Sequence, residues 1–383
     1  MTRKLYYEDA YIREFEAIVI SCDATDGGYS VVLDRTAFFP EEGGQSADHG
    51  YIADARVLNV SERDGVVYHL TDTSVLLGEV RCTLDFDERF EKMQMHTAEH
   101  ILCGIIHRLH GLDNVGFHLS GGEVTFDISA PLTREQLYEV ERLANEAVFA
   151  NLPVTTYFPT PEELPSLEYR AKLDLTEGVR IVNIGDVDSC ACCAPHVSYT
   201  GEIGLIKILD FFKHRGGLRI TMVAGRRALA DYNEKYRNIR EISAILSTPQ
   251  HDTAATLSTY VADVEELKHR LKTTRLELAR NQALSVQRTE GSCIYFIDGF
   301  SMEELIEFAN NATSRVGGML VALSGSNGEY KYVIASSSYD MRAEIKKINA
   351  ALSGRGGGRP NMVQGAFLTD RAAILDYFSE NYR

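Results

Sequence analysis

Apolar and polar residues alternate over much of residues 1–86, which is the pattern of half-buried β-strands. The strand-like runs are residues 17–20, 29–33, 57–60 and 66–70. An Asp64-Gly65 turn stands before the last run. Short strands joined by tight turns are typical of closed or packed sheets, and we predict a small β-barrel over residues 1–86.

Between residues 87 and 225 the pattern changes to helices mixed with strands. The segment 87–110 has apolar residues at helical spacing, contains no proline and runs into Gly111, so we predict a helix that ends there. Thr133 and Gln136 match a capping box, which predicts the start of a second helix that continues through Phe149. We predict an α/β domain over this range.

Two long segments between residues 226 and 290 have apolar residues at alternating spacings of three and four, on either side of Thr248-Pro249. The repeating residues are Leu229, Tyr232, Tyr236, Ile239 and Leu246, then Leu257, Tyr260, Val264, Leu267, Leu271, Thr274 and Leu278. This pattern predicts an antiparallel helical hairpin. Two ordinary packed helices would have nearly the same structure.

Residues 291–383 contain further strand-like runs among helical segments, at residues 293–297, 318–323 and 330–335. We predict a compact C-terminal α/β domain there. The fold class that follows is α+β multidomain. Its parts are a β-barrel at 1–86, an α/β domain at 87–225, a helical hairpin at 226–290 and an α/β domain at 291–383.

From the amino-acid composition we expect a cytoplasmic protein. The 383 residues allow two to four domains, and 44% hydrophobic residues are enough to build real cores. No apolar stretch is long enough for a membrane span and no signal-peptide core is present, so we expect no membrane partner. Seven cysteines, three of them clustered, indicate reduced thiols and metal ligands rather than a disulfide framework.

The candidate chemistry is a metal site. His96 and His100 lie four residues apart on one face of the predicted helix, and Cys192 and His196 lie in a tight loop much later in the chain. Three imidazoles completed by a thiolate suit a tetrahedral zinc ion better than iron or manganese. Cys190 and Cys193 flank the loop cysteine, so which thiol binds the metal stays open.

Two other interpretations use the same residues. The run from His96 to His100 also matches His-x-x-Glu-His, a metalloprotease helix in which Glu99 would be the general base. That chemistry needs a further carboxylate ligand, and here the best partner is a thiolate. A closed structural zinc site is the second alternative, because four protein ligands leave no position for water. Glu99 itself is expected on a solvated face of the helix.

Several motifs, in the same order along the chain, resemble the editing domain of alanyl-tRNA synthetase and its free-standing relatives, the AlaX proteins. The resemblance is carried by residues 179–189, by the loop from Cys192 to His196 and by residues 197–204. Residues 36–45, with Asp48 and Gly50, resemble the family's glycine-rich substrate motif, and the pair His96 and His100 resembles its first metal pair. Residues 354–361 resemble the glycine-rich motif of the family's C-terminal domain, known as DHHA1. The metal loop reads Cys192-Cys-Ala-Pro-His196, whereas the family usually has Cys-Gly-Gly-Thr-His.

The resemblance implies an editing domain at residues 87–225 and an enzyme that corrects mischarged tRNA. The reaction would be zinc-dependent hydrolysis of the ester that joins serine, or alternatively glycine, to tRNA(Ala). The editing motifs begin by Thr36 without a class II aminoacylation domain ahead of them, so we do not expect the chain to charge tRNA. Zinc would either activate water or position the substrate, and the sequence leaves both possibilities open.

An editing site that must bind the serine hydroxyl selectively needs polar groups near the substrate, because an apolar pocket discriminates weakly against an added hydroxyl. Thr36 and Gln45 flank the glycine-rich motif and are our candidates. Gly43 and Gly44 would allow close approach of the terminal ribose, and His118 is a secondary candidate for contacting the substrate. A plain strand residue is the alternative for Thr36, and a structural histidine is the alternative for His118.

The distribution of charged residues indicates which kind of partner the chain binds. The net charge of −16 argues against general nucleic-acid binding, but basic residues concentrate between Leu205 and Arg240. We predict tRNA contacts at Arg226 and Arg227 and at Arg355 and Arg359 of the glycine-rich motif, and a homodimer formed through the C-terminal region. Such charge runs are also common on solvated helices. The alternative function is therefore a non-catalytic tRNA-binding or dimerisation protein with a structural zinc.

Overall fold

The computed structural model describes residues 1–120, 122–171 and 178–382. The chain forms two compact units, Met1–Glu241 and Ile242–Arg383, each with its own apolar cores. Both units mix helices and sheets, which confirms the predicted α+β multidomain class. The predicted four domains are a finer division than these two units, and their boundaries stay predictions.

The first part of the N-terminal unit consists of strands. They are β1 (Arg3–Lys4), β2 (Glu14–Thr25), β3 (Gly28–Leu33), β4 (Arg35–Thr36), β5 (Gly50–Ile52), β6 (Ala55–Arg63), β7 (Val66–Thr71) and β8 (Gly78–Leu84). Six of them close into a barrel in the order β2-β3-β7-β6-β5-β8, and β1 pairs with β4. Side chains point alternately to the two faces of a strand, which places Val19, Leu33, Val57 and Val67 in a shared core.

Helix α1 (Phe86–His110) runs through the core of the same unit. It ends at Gly111, whose left-handed conformation (φ 66°) closes the last turn, so the predicted helix end is confirmed. Every residue from Lys92 to Ile106 is buried. The polar side chains of this stretch are therefore held inside the protein, whichever face of the helix they occupy.

Two further sheets and two helices follow α1 along the chain. The elements are β9 (Asn114–Ser120), β10 (Glu123–Ile128), α2 (Arg134–Phe149), β11 (Val154–Tyr157), β12 (Ile181–Ile184), β13 (Asp188–Ala191), β14 (Ile206–His214), β15 (Gly217–Ala224) and α3 (Gly225–Leu246). The sheets have the orders β14-β15-β10-β9 and β11-β12-β13. The capping box of Thr133 and Gln136 at the start of α2 is confirmed.

Close packing of α1 against β13 depends on Gly104. A Cβ atom at this position would lie 2.6 Å from the carbonyl oxygen of Val187 and 2.7 Å from Cβ of Asp188. A larger residue would push the start of β13 away from the helix. The glycine therefore brings Asp188 into reach of the histidines on α1.

The C-terminal unit is built on one sheet. Its elements are α4 (Thr253–Leu284), β16 (Cys293–Phe296), α5 (Met302–Ala312), β17 (Met319–Ser326), β18 (Glu329–Ser336), α6 (Met341–Ala351), β19 (Gly354–Arg359), β20 (Met362–Leu368) and α7 (Arg371–Asn381). The strand order is β16-β17-β18-β20-β19, so the glycine-rich β19 is an edge strand. Two apolar clusters provide the core of this unit.

The apolar repeat on α3 and α4 is exposed, with Tyr232 60% and Leu271 62% accessible. Helices form where the repeat predicts them, and their pairing into a hairpin stays a prediction. A heptad pattern identifies an apolar face and does not specify what covers it.

In the described ranges, no helix is long and apolar enough to cross a membrane.

Candidate metal centre

The four predicted metal ligands meet in the N-terminal unit. His96 and His100 come from consecutive turns of α1, and Cys192 and His196 come from the loop after β13. Their ligand atoms all lie within 4.8 Å of one another. Sγ of Cys192 lies 3.6 Å from Nε2 of His96 and 3.4 Å from Nε2 of His196. Ordinary zinc bond lengths put a thiolate and an imidazole nitrogen about 3.6 Å apart on a tetrahedron, so the donor set fits zinc.

Each histidine ring is oriented by a hydrogen bond at its other nitrogen. Nδ1 of His96 lies 2.7 Å from Oε1 of Gln45, and Nδ1 of His100 lies 3.2 Å from Oδ2 of Asp188. Nδ1 of His196 lies 3.0 Å from the hydroxyl of Thr97. All three rings therefore turn Nε2 towards the centre, which is the arrangement found around metal-bound histidines.

The hydroxyl of Thr97 determines the tautomer of His196. This hydroxyl donates its one hydrogen to the carbonyl of Met93, at 2.8 Å. It must therefore accept from Nδ1–H of His196, as it does from the backbone N–H of Val197. Nε2 of His196 then has a free lone pair for a metal.

Asp188 links the centre to a second charged residue. Arg170 donates to both of its carboxylate oxygens, at 2.7 and 2.9 Å. Burial alone would raise the pKa of Asp188, but the bonds from His100 and Arg170 outweigh it and hold that pKa below the usual range. Asp188 is therefore an anion that can accept from His100 and strengthen it as a ligand.

Three cysteines lie close together, and they differ in chemistry. Burial would raise the pKa of the Cys192 thiol, but its histidine neighbours His96, His196 and His100 outweigh burial and hold the pKa well below its ordinary value. Burial raises the pKa of Cys190 and of Cys193. Cys190 also lies in a group with His100 and Asp188, but those two residues already bond each other. Geometry and charge together favour Cys192 as the ligand thiolate.

Gln45 lies against the metal ligands, fully buried, and Gly44 makes this position possible. Gly44 has a left-handed backbone (φ 87°), and a Cβ atom there would lie 2.4 Å from the carbonyl oxygen of Phe117. Its own carbonyl accepts from the N–H of Leu119 at 2.8 Å, which attaches the turn to β9. Oε1 of Gln45 is occupied by His96, while its Nε2 has no hydrogen-bond partner among the described residues.

Thr36 and His118 are placed elsewhere. Thr36 is fully buried, and its hydroxyl lies 2.8 Å from Nε2 of His69 and accepts from the N–H of Phe38. His118 is an exposed residue of β9. Neither of them lines the cavity beside the metal ligands, and Gly44 and Gln45 do not line it either. The substrate contacts predicted for Thr36 and His118 receive no support from the geometry.

A cavity of about 1230 Å³ opens beside His96, His100 and Cys192. Gly43 and Arg180 also line it. Arg180 donates through Nη1 to the carbonyls of Cys192 and Ala194, at 3.0 and 2.8 Å, and so holds the metal loop in shape. The cavity gives a ligand direct access to the metal centre.

Glu99 is a cavity residue, and the predicted solvated position is wrong. It is only 3% exposed and lines the cavity with His96 and His100. The physical reason is that α1 is buried on all sides at this level. The apolar residues on both sides of the histidine pair were the available signal, since a helix that is apolar all round is a buried one.

The predicted tRNA-binding arginines fall into two groups. Arg226 forms an ion pair with Asp87 and Arg227 forms one with Glu91, both at 2.8 Å. Arg355 and Arg359 lie exposed on the edge strand β19, without an ion pair to any residue in the described ranges. Arg355 and Arg359 are therefore more available than Arg226 and Arg227 to bind an anionic partner.

Comparison with known proteins shows which synthetase domains the chain resembles. Residues 179–223 match the model described as the threonyl and alanyl tRNA synthetase second additional domain, and residues 7–88 match that of the class II (A) tRNA synthetases. The C-Ala domain of the Aquifex aeolicus alanyl-tRNA synthetase is 18% identical, with a TM-score of 0.20 over 23% of this chain and 87% of that one. This last likeness is too weak to bear on the fold.

Two curated relatives cover most of the chain. The alanine–tRNA ligase of Halorubrum lacusprofundi is 30% identical over 95% of the chain, which spans 42% of that ligase. The alanyl-tRNA editing protein AlaX-L of Pyrococcus horikoshii is 28% identical over 100% of the chain and 99% of its own length. Both family models match parts of the chain, and from end to end the chain is similar to an alanyl-tRNA editing protein of the AlaX type.

Proposed function

We propose that this protein is a zinc-dependent deacylase of mischarged tRNA(Ala), with a seryl ester as the main substrate and a glycyl ester as the alternative. The observation that carries the proposal is the metal centre, where three of the four ligands line a cavity large enough for the end of an aminoacylated tRNA. The name of the end-to-end relative, an alanyl-tRNA editing protein, supports the same reaction.

In this reaction water adds to the ester carbonyl, the bond from that carbon to the ribose oxygen breaks, and the amino acid and the free tRNA hydroxyl leave. A zinc ion bound here would supply Lewis acidity or would position the ester. Gly43 lines the cavity, and a Cβ atom there would meet only Sγ of Cys193, at 3.5 Å, so the terminal ribose can approach the backbone closely.

For recognition of the serine hydroxyl, we favour Gln45 over Thr36. Nε2 of Gln45 is a buried donor without a partner in the described ranges, whereas the hydroxyl of Thr36 is already bonded to His69. A hydroxyl that satisfied this donor would favour the seryl ester over the alanyl ester. In this proposal Gln45 has two roles, because its Oε1 also orients His96.

The alternative is a non-catalytic tRNA-binding or dimerisation protein. Four protein donors complete a tetrahedral shell, which is the usual composition of a structural zinc site, and this observation favours it. The two functions differ in one measurable property, because only the deacylase releases amino acid from tRNA.

The test measures zinc content and the deacylation of seryl-, glycyl- and alanyl-tRNA(Ala). We expect about one zinc per chain, as the four-donor set implies, and faster hydrolysis of the seryl or glycyl ester than of the alanyl ester. His100→Ala or His196→Ala should abolish both zinc binding and activity. The matched control is His110→Ala, which changes a histidine on the same helix outside the ligand set.

Two outcomes would contradict the proposal. Full activity in a His100→Ala protein shown to be metal-free would remove the metal from the reaction. A wild-type protein that binds zinc and tRNA(Ala) and hydrolyses none of the three esters would favour the non-catalytic alternative.

We further propose that tRNA(Ala) binds through Arg355 and Arg359, and that the chain forms a homodimer through its C-terminal region. The exposed apolar residues of α4, among them Leu267 and Leu271, support the dimer, since apolar surface is usually covered. A mass of one chain in equilibrium sedimentation would contradict the homodimer.

All seven cysteines are free, which supports the proposed cytoplasmic location.

A further inference from the structure

Glu99 is a buried carboxylate that the proposed hydrolysis does not yet use. Its Oε1 accepts a short hydrogen bond from Nδ2 of Asn114 and a second, at 3.2 Å, from the thiol of Cys103. Its Oε2 accepts no hydrogen bond from the part of the chain that the structure describes. No lysine, arginine or histidine in those ranges forms an ion pair with it.

The open oxygen of this side chain can accept a hydrogen bond from a ligand in the cavity. A carboxylate that is 97% shielded from solvent is costly unless a positive group or several donors compensate it. The bond from Asn114 holds the carboxylate in place and leaves one oxygen open in a cavity wall. His96 and His100 line the same cavity, so a cation bound at Glu99 would lie beside the metal centre.

We propose that Glu99 binds the α-ammonium group of the aminoacyl ester. This inference rests on the proposed function, because an aminoacyl-tRNA is the substrate that brings such a group. The ammonium is attached to the carbon next to the ester carbonyl. Binding of the ammonium at a fixed point therefore restricts where the carbonyl carbon can lie. Glu99 thereby selects a free amino group and directs the ester towards the metal ligands.

The experiment compares two esters in two proteins. Seryl-tRNA(Ala) carries the ammonium, and N-acetyl-seryl-tRNA(Ala) lacks its charge. Glu99→Gln keeps the shape of the side chain and removes its charge. The matched control is Glu16→Gln, which neutralises an exposed glutamate on β2 that does not line the cavity.

We expect Glu99→Gln to lower kcat/KM for the seryl ester by about 10-fold or more, mainly through KM, because the ammonium loses its charged partner. The same variant should leave hydrolysis of the N-acetyl ester unchanged, and Glu16→Gln should change neither rate. An equal loss on both esters would overturn the proposal, because a general base or a structural residue acts on both. Loss of zinc from Glu99→Gln would overturn it as well.

A binding measurement separates this inference from the proposed function. The probes are 3′-deoxy-3′-(L-serylamino)adenosine, which cannot be hydrolysed as an ester, and its N-acetyl form, with binding followed by calorimetry. Wild-type protein should bind the free amine about 10-fold more tightly or better, and Glu99→Gln should bind both alike. Equal wild-type affinities would overturn the proposal even if that variant failed to fold. If the amine binds through Glu99 but no ester is hydrolysed, the deacylase function fails and the ammonium site stands.

Discussion

Three histidines meet at the metal centre, and a different side chain orients each of them. Gln45, Asp188 and Thr97 hold the three Nδ1 atoms. Asp188 differs from the other two in its charge and in its bidentate contact with Arg170. A carboxylate behind a ligand histidine strengthens the ligand, so these outer contacts should affect how tightly the metal binds.

At this scale we predict that Asp188→Asn weakens zinc binding by about 10- to 100-fold, since the amide cannot supply the charge that faces His100 and Arg170. Competition with a chromophoric chelator measures the affinity. Asp186→Asn is the matched control, because this exposed aspartate lies two residues away on the same segment. Equal zinc affinities for Asp188→Asn and wild type would show that metal binding does not depend on the charge of Asp188.

Among the elements, the barrel has its own buried histidine. His69 on β7 is fully enclosed, its Nδ1 donates to the carbonyl of Val31 at 3.1 Å, and its Nε2 accepts from the hydroxyl of Thr36. Burial lowers the pKa of His69 to about 4, because the charged form would lose its hydration. The contact between β4 and β7 therefore requires a neutral ring.

A stability prediction follows for the barrel. The pKa of His69 is about 4 in the folded state and 6.5 when exposed, so its contribution to stability is present above pH 6.5 and is lost as the pH falls towards 4. Between pH 7 and pH 4.5 this loss is about 2–3 kcal/mol of unfolding free energy. His69→Phe should reduce the acid destabilisation by that amount in thermal or urea unfolding. His251→Phe, an exposed position, is the control, and an unchanged pH dependence in His69→Phe would refute the account.

Over the whole molecule, the arrangement of positive charge matters more than the net charge of −16. Arg226 and Arg227 are neutralised by carboxylates on α1. Arg355 and Arg359 are separated by glycines on an exposed edge strand and have no such partners in the described ranges. A polyanion would gain more from the second pair, because it need not displace an existing ion pair.

We therefore expect Arg355→Ala with Arg359→Ala to raise the KM for full-length seryl-tRNA(Ala) and to spare hydrolysis of a minimal acylated acceptor stem. The dependence of binding on salt should flatten by roughly one unit of log–log slope for each phosphate that an arginine no longer neutralises. Arg63→Glu, an exposed change on the barrel, serves as the control. The same KM and salt slope in the double variant would mean that tRNA binds elsewhere.

Spacing along the chain was sufficient to identify α1, its end at Gly111, the four candidate metal ligands and the resemblance to alanyl-tRNA editing proteins. These features are local, since helical periodicity, a glycine stop and ligand pairs four residues apart are all written within one or two short segments. The α+β class could be predicted for the same reason, because each element has its own hydrophobic period.

Burial and hydrogen-bond partners could not be predicted in this way. Gln45 meets His96 across 51 residues of chain and Asp188 meets His100 across 88, while the hydroxyl of Thr36 is taken up by His69. The same folding that encloses α1 turned Glu99 from an expected surface residue into a cavity residue, and it left the repeat on α3 and α4 exposed. The free energy of each polar group depends on the atoms that surround it, and those atoms come from segments that no local pattern connects.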